Sequence, residues 1–441
     1  MHVSEAVKHA GGSVSLKGWV HRKRESGGIL FIVLRDSTGI LQTAVKKDKV
    51  DARSWKAAQE ATVESSIEVS GRVKKDARAP GGFELEVSKF ENLHVSEPFP
   101  ITEYQSAELL LDKRHLWLRS RRMTEIMKAR SHVFKYVREF LDANGFYEIT
   151  SPVITLAGGE TGADLFEVDF FGHKAYLTES SQLYAEAMVF SLEKVYSMTP
   201  AFRAEKSRTT KHIAELWMVE PEMAFYDWKM NMELQEKLVS YIANKLAKED
   251  EEVLNELKVD RDALLKVRPP FKRITYEKAL EIVNEKGSKL RWGDDFGVPE
   301  EKMLTEGEKM PIFITSWPKE IKAFSAKVDP KDPRTVLSAD MQAPNGHGEI
   351  IGGTEREWRL DKVLERMREI EKIKHVKFNM KNYEWWLELR RYGSVPHPLT
   401  GIGKTRLRGK PRLAHGIKWR GSACRDRWSR SIWADSSRSI Q

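Results

Sequence analysis

Arg203 and Glu205 stand two residues apart in Ala201-Phe202-Arg203-Ala204-Glu205, and on a strand that spacing points both side chains to one face. A polar, basic loop runs through Lys211-His212. Beyond it, 215–225 reads as a second strand in which Leu216, Met218 and the carboxylates Glu220 and Glu222 alternate. A long antiparallel hairpin with a planar cation, several carboxylates and a basic loop suits gripping a nucleotide phosphate together with an amino group. Spacing alone favours something plainer, a solvated β-arm laced with cross-strand ion pairs.

Three further stretches carry polar groups in patterns a small ligand could use. Gly158-Gly159-Glu160-Thr161-Gly162 is a glycine-rich loop, and glycine lets backbone approach a ligand closely. Tyr176–Tyr184 starts as a strand and turns through Ser180-Ser181-Gln182 into a helix. Glu349 lies on a strand with Arg356 seven residues on, which by itself is a surface carboxylate and a salt-bridged arginine.

Together these residues change the reading. Phe-Arg-Ala-Glu, a basic loop and a Glu-x-Glu strand resemble motif 2 of the class II aminoacyl-tRNA synthetases, in their aspartyl/asparaginyl/lysyl subgroup. The resemblance implies ATP as cofactor, with Arg203 on the α-phosphate, Glu205 at adenine and His212 near the triphosphate. It gives Glu349 to Mg²⁺, a hard ion that uses few protein carboxylates, and Arg356 to the γ-phosphate. Glu160, Ser181 and Gln182 would hold the amino acid's ammonium and carboxylate. Arg391 would meet its side-chain oxygen. Ser325 falls where relatives often carry tyrosine.

Asparaginyl enzymes carry Glu-x-Glu where aspartyl enzymes carry Asp-x-Glu, and this chain has Glu220-Pro221-Glu222. An arginine alone favours a carboxylate, so choosing an amide needs a negative group that accepts from the amide nitrogen and repels aspartate. Glu220 suits that task. The resemblance, strongest to archaeal-type asparaginyl enzymes, implies asparagine and its tRNA as substrates. Two alternatives stand: an aspartyl enzyme that charges one or both tRNAs, and an RNA-binding relative that has lost catalysis.

The elements that must position these residues follow from periodicity. Five short alternating strands within 13–93, with a helix near 51–62 after the third, have the order of an OB-fold, a small barrel that often binds single-stranded nucleic acid. By resemblance it is the anticodon-binding domain, with Phe31 stacking on a base and Gln42 bonding its edge; a core aromatic would look the same as Phe31. Residues 98–112 read as a linker. From 113 to 397 an α+β catalytic domain is expected, an antiparallel sheet flanked by helices, with an exposed helical insertion at about 228–268 and strands at 311–315 and 323–325. The helix after Arg119 and the strand ending at Pro152 resemble motif 1, which implies a homodimer.

The chain has 441 residues, enough for two or three cores, and a single Cys424, which excludes an internal disulfide or a cysteine-built metal cluster. No apolar run of membrane length or export signal is seen, and a cytoplasmic setting is expected. The formal charge of +9 resides in 398–441, where eleven Lys/Arg face two Asp; the rest balances at 63 against 63 (74 less 11, 65 less 2). Net charge therefore gives no support for RNA binding by the body. Gly401, Gly403, Arg406 and Leu407 keep the register of motif 3, with Arg406 over adenine and γ-phosphate. After them, Arg408-Gly409-Lys410-Pro411-Arg412 cannot continue a buried apolar helix. The segment after about 397 reads as a frame-shifted product, or as a natural basic tail.

Overall fold

The computed structural model describes residues 1–102, 105–157, 165–204 and 214–402. It divides into two compact units, Met1–Thr124 and Glu125–Gln441. The division falls later than the linker expected at 98–112, where a short helix, Ala107–Asp112, forms behind a Ser106 cap.

Five strands close the barrel of the first unit: β1 (Ser13–Ser26), β2 (Ile29–Arg35), β3 (Ile40–Lys46), β4 (Ser66–Lys75) and β5 (Phe83–His94), in the order β1-β2-β3-β5-β4. Alternation drives the closure. Leu16, Leu30, Ile32, Leu34, Ile67 and Val69 all turn inward and are buried. The helix Ala52–Glu60 sits between β3 and β4, its first turn capped by Asp51 accepting from Ser54 N–H at 2.6 Å.

The second unit carries β6 (Tyr147–Ile149), β7 (Ile154–Thr155), β8 (Glu167–Phe170), β9 (His173–Leu177), β10 (Lys194–Phe202), β11 (Glu215–Met223), β12 (Lys272–Thr275), β13 (Ile312–Thr315), β14 (Ser338–Ala343), β15 (Gly348–Glu355) and β16 (Pro398–Gly401). Eight of them form one sheet, β12-β13-β14-β15-β16-β11-β10-β6, antiparallel except at the two outer pairs, β12/β13 and β10/β6. β7, β9 and β8 make a small second sheet.

The helix Trp228–Glu249 departs from expectation. It is no exposed insertion: Met232, Leu234, Leu238 and Leu246 are buried, and polar Asn231 and Gln235 press onto the sheet. Asn231 Nδ2 donates to the Leu399 carbonyl at 3.2 Å and Gln235 Nε2 to Thr400 Oγ1 at 3.0 Å. The approach explains one glycine, since a Cβ on Gly353 would lie 2.5 Å from Gln235 Nε2. Charges on the outer turns disguised a core helix. Residues 323–325 form no strand either. Phe324 instead enters an aromatic cluster with Phe378, Tyr383 and Trp386, at 5.1, 5.9 and 5.6 Å between ring centroids.

Candidate functional site

β10 and β11 form the expected hairpin, with Ser197 opposite Glu220 and Val195 opposite Glu222. Alternation puts Glu220 and Glu222 on one face, where both are buried. The turn after β9 meets them there. Glu220 Oε2 accepts from Ser181 N–H at 2.8 Å and from Ser181 Oγ at 2.7 Å, while Ser181 Oγ and Ser197 Oγ are 2.5 Å apart. Gln182, first residue of the helix Gln182–Leu192, donates from Nε2 to Glu222 Oε1 at 3.3 Å. Three expected residues, Ser181, Gln182 and Glu220, thus share one buried locus.

Arg356 joins them. Just past β15, it donates through one terminal nitrogen to Gln182 Oε1 at 2.6 Å and through the other to Ser325 Oγ at 2.7 Å. Its own backbone N–H is held by the His397 carbonyl at 2.8 Å. The guanidinium expected at the γ-phosphate is therefore anchored to the turn that was expected to hold the amino acid. Ser325, where tyrosine was expected, is the residue that steadies it.

Arg391 is exposed, and the neighbouring Arg390 is the buried one, meeting Glu186. The cause is local: the helix Met380–Glu388 tightens into a 3₁₀ turn over Leu389–Arg391, which swings Arg390 inward. Arg390 lies over the Trp386 ring, 3.7 Å from its centroid.

A second polar locus forms where β13–β15 run together. Asp340 on β14 is buried against Lys322, with Glu349 close by on β15. A Cβ on Gly352 would meet Glu349 Oε1 at 3.5 Å and Asp340 Oδ1 at 3.6 Å, so those two oxygens converge above it. Among the described residues, Asp340 Oδ1 and Gln342 Oε1 are buried with no hydrogen-bond partner. Burial, with Glu349 adding to it and Lys322 opposing, pushes the Asp340 carboxyl up to about 7. Burial would lower Lys322, but Asp340 and Glu349 more than offset it and keep the ammonium charged. Two carboxylates sharing one ammonium, beside orphaned oxygens, fit a hard divalent cation such as Mg²⁺.

Arg203 stands one residue past β10, half-buried, its N–H held by the Ala214 carbonyl at 3.0 Å and its Nε buried without a hydrogen-bond partner among the described residues. Glu160, Glu205, His212 and Arg406 lie outside the described residues, as do Gly403 and Leu407. β16 lies between β15 and β11.

In the barrel, Phe31 is half-buried with the Arg24 guanidinium 4.4 Å from its ring centroid, an aromatic face beside a cation. Gln42 is buried, and its amide donates to Glu84 Oε2 at 2.7 Å.

Sequence reasoning missed Asp340, Lys322, Glu186, Arg390 and His397. Only Asp340 left a trace, an acid inside the buried strand of apolar and small residues Ser338–Ala343.

Residues 106–409 match the family described as tRNA synthetases class II (D, K and N), and residues 14–93 match the OB-fold nucleic acid binding domain. The chain is 42% identical over 399 residues to an asparagine–tRNA ligase of Thermoplasma acidophilum, covering 90% of this chain and 92% of that one. It is 46% identical over 400 residues to an asparagine–tRNA ligase of Thermococcus kodakarensis, covering 90% and 91%. The fold superposes on the crystal structure of asparaginyl-tRNA synthetase from Pyrococcus horikoshii complexed with asparaginyl-adenylate at a TM-score of 0.87, with 43% identity and coverage of 91% and 92%.

Proposed function

Because the chain belongs to the class II tRNA synthetases (D, K and N), we propose that it joins asparagine to its tRNA at the expense of ATP. The observation that carries the choice of amino acid is the buried locus of Ser181, Gln182, Glu220, Glu222 and Arg356. One cation beside two carboxylates suits a neutral amide, which can both accept from a guanidinium and donate to a carboxylate. An aspartate side chain would add a third negative charge to a buried site.

In the first step the asparagine carboxylate attacks the α-phosphorus of ATP in line, forming a C–O–P bond and expelling pyrophosphate. In the second, a ribose hydroxyl at the tRNA end attacks the carbonyl carbon, loses its proton and releases AMP. No covalent enzyme intermediate is needed, so the protein's work is alignment and charge neutralisation. Arg203, whose Nε at the hairpin end has no hydrogen-bond partner among the described residues, takes the α-phosphate. Glu205, His212 and Arg406 are assigned to the nucleotide, and Glu160 to the amino acid, on the family pattern. Arg356, fixed by Gln182 and Ser325, takes the side-chain oxygen in place of Arg391.

Asp340 and Glu349 would hold Mg²⁺, which supplies charge neutralisation on the polyphosphate when bound. A homodimer, a cytoplasmic setting and anticodon reading by the barrel through Phe31 complete the proposal. ATP–pyrophosphate exchange run with asparagine and with aspartate tests it: exchange with asparagine is expected, and exchange with aspartate alone sinks it.

A further inference from the structure

Behind the amino-acid turn lies a run of side chains that the two chemical steps do not use. Glu186 sits one helical turn beyond Gln182, and the side chains of Glu186, Arg390 and His397 are wholly removed from solvent. Glu186 Oε2 accepts from Trp386 Nε1 at 2.6 Å, and Oε1 meets the Arg390 guanidinium. The same Oε1 stands 3.0 Å from His397 Nε2. The other ring nitrogen, Nδ1, lies 2.7 Å from the Val395 carbonyl, an oxygen that can only accept, so Nδ1 carries a proton and Nε2 is left facing Glu186.

His397 Nε2 is also 3.6 Å from Glu222 Oε1, the oxygen to which Gln182 donates. Contacts therefore run from Arg390 through Glu186, His397, Glu222 and Gln182 to Arg356. Glu186, Glu222 and His397 bring ligand-type atoms within 4.8 Å of one another, a spacing that could suggest a metal. The Arg390 guanidinium on Glu186 already supplies the cation there. What this run does control is the direction of one amide. Gln182 has its Nε2 toward Glu222 and its Oε1 toward Arg356; turned over, it would set N–H against N–H at the guanidinium.

Resting on the reading of Arg356 as the group that meets the substrate side chain, we infer that His397, set against Glu186, which Arg390 secures in turn, is a positioning residue for amino-acid selection. It seats Glu222, Glu222 sets the Gln182 amide, and Gln182 fixes the plane of the Arg356 guanidinium. An amide and a carboxylate differ by one donor, and a pocket separates them only if its own donors and acceptors are held in set directions.

The test is pyrophosphate exchange by the full chain bearing His397→Gln, Glu186→Gln or Arg390→Lys, each melted by circular dichroism alongside. KM for asparagine should rise about tenfold or more, as the loss of a charge-assisted bond implies, and the preference for asparagine over aspartate should fall by a similar factor, with KM for ATP within about twofold. Arg390→Lys keeps the charge on Glu186 and should show the mildest change. If the KM values for asparagine and ATP climb together, or if a variant that melts like wild type keeps its preference, the inference is overturned. A wild type that activates only aspartate overturns the proposed substrate instead, and the variants are then judged by the same criterion on KM for aspartate. For a wild type that activates neither, calorimetric binding of asparaginyl- and aspartyl-sulfamoyl adenosine replaces KM, with the same tenfold change deciding.

Discussion

The barrel and the large sheet both bury polar side chains, but they satisfy them differently. In the barrel the buried acids Asp36, Glu64 and Glu84 close on a neighbour. Gln42 donates to Glu84, Arg35 donates to both oxygens of Glu64 at 3.0 and 2.9 Å, and Asp36 accepts from Val3 and Gly39 N–H and from Thr38. In the large sheet one buried acid closes in that manner, Glu186, which accepts from Trp386 and Arg390 and has His397 3.0 Å away. Another does not: among the described residues Asp340 and Glu349 share one lysine, and Asp340 Oδ1 has no hydrogen-bond partner. A buried pair that closes is architecture or positioning, whereas a buried acid left short of cations marks where a charged ligand belongs.

Breaking the closed cluster outright should have the largest effect on the fold. Glu186→Ala leaves Arg390 buried and unpaired, and unfolding in urea should show a loss of about 3–5 kcal/mol. A loss under about 1 kcal/mol would make that cluster no different from a surface pair. Glu349→Gln should do the reverse, melting near wild type while exchange drops about 10²–10³-fold and the Mg²⁺ requirement rises. Unchanged exchange would remove the open cluster from the chemistry.

The pH dependence sharpens the contrast. Asp340 has a folded pKa of about 7, above its ordinary 3.8, so its contribution to stability is full below about pH 4 and is lost as pH rises to about 7. Asp340→Asn removes that loss. The variant's stability relative to wild type should climb between pH 4 and pH 7, by at most about 1.4 kcal/mol per pH unit, and level off above. A flat difference across that range would show that Asp340 titrates normally. The smallest effects belong to the barrel. Phe31→Ala should weaken tRNA binding by about 1–3 kcal/mol in filter assays with exchange intact, whereas Gln42→Ala, which takes the amide donor from Glu84, should lower the barrel's melting.

The barrel was legible because strict alternation over five short strands has one good solution, and its core residues are those the pattern names. The β10/β11 hairpin and the Ser181-Gln182 turn were legible through residue types at fixed spacing. Other features were not. Arg390 and Arg391 are adjacent and chemically identical, and which one turns inward depends on where a helix tightens into a 3₁₀ turn. Glu186 lies in the otherwise apolar run Ala185–Val189, and its partners are about two hundred residues away, so nothing local announces it. The helix Trp228–Glu249 looked solvated because charge density hides a narrow apolar stripe, while Asn231 and Gln235 serve the core as hydrogen-bonding groups.

The strand order has a consequence for synthesis. β16, at Pro398–Gly401, lies in the interior of the eight-stranded sheet, between β15 and β11. Until those residues leave the ribosome, β15 and β11 each present a bare ladder of unpaired amides to neighbouring chains. The nascent sheet waits as two separate halves for a keystone supplied late in translation, and a chaperone that shields those two rims would have its longest task on this part of the polypeptide.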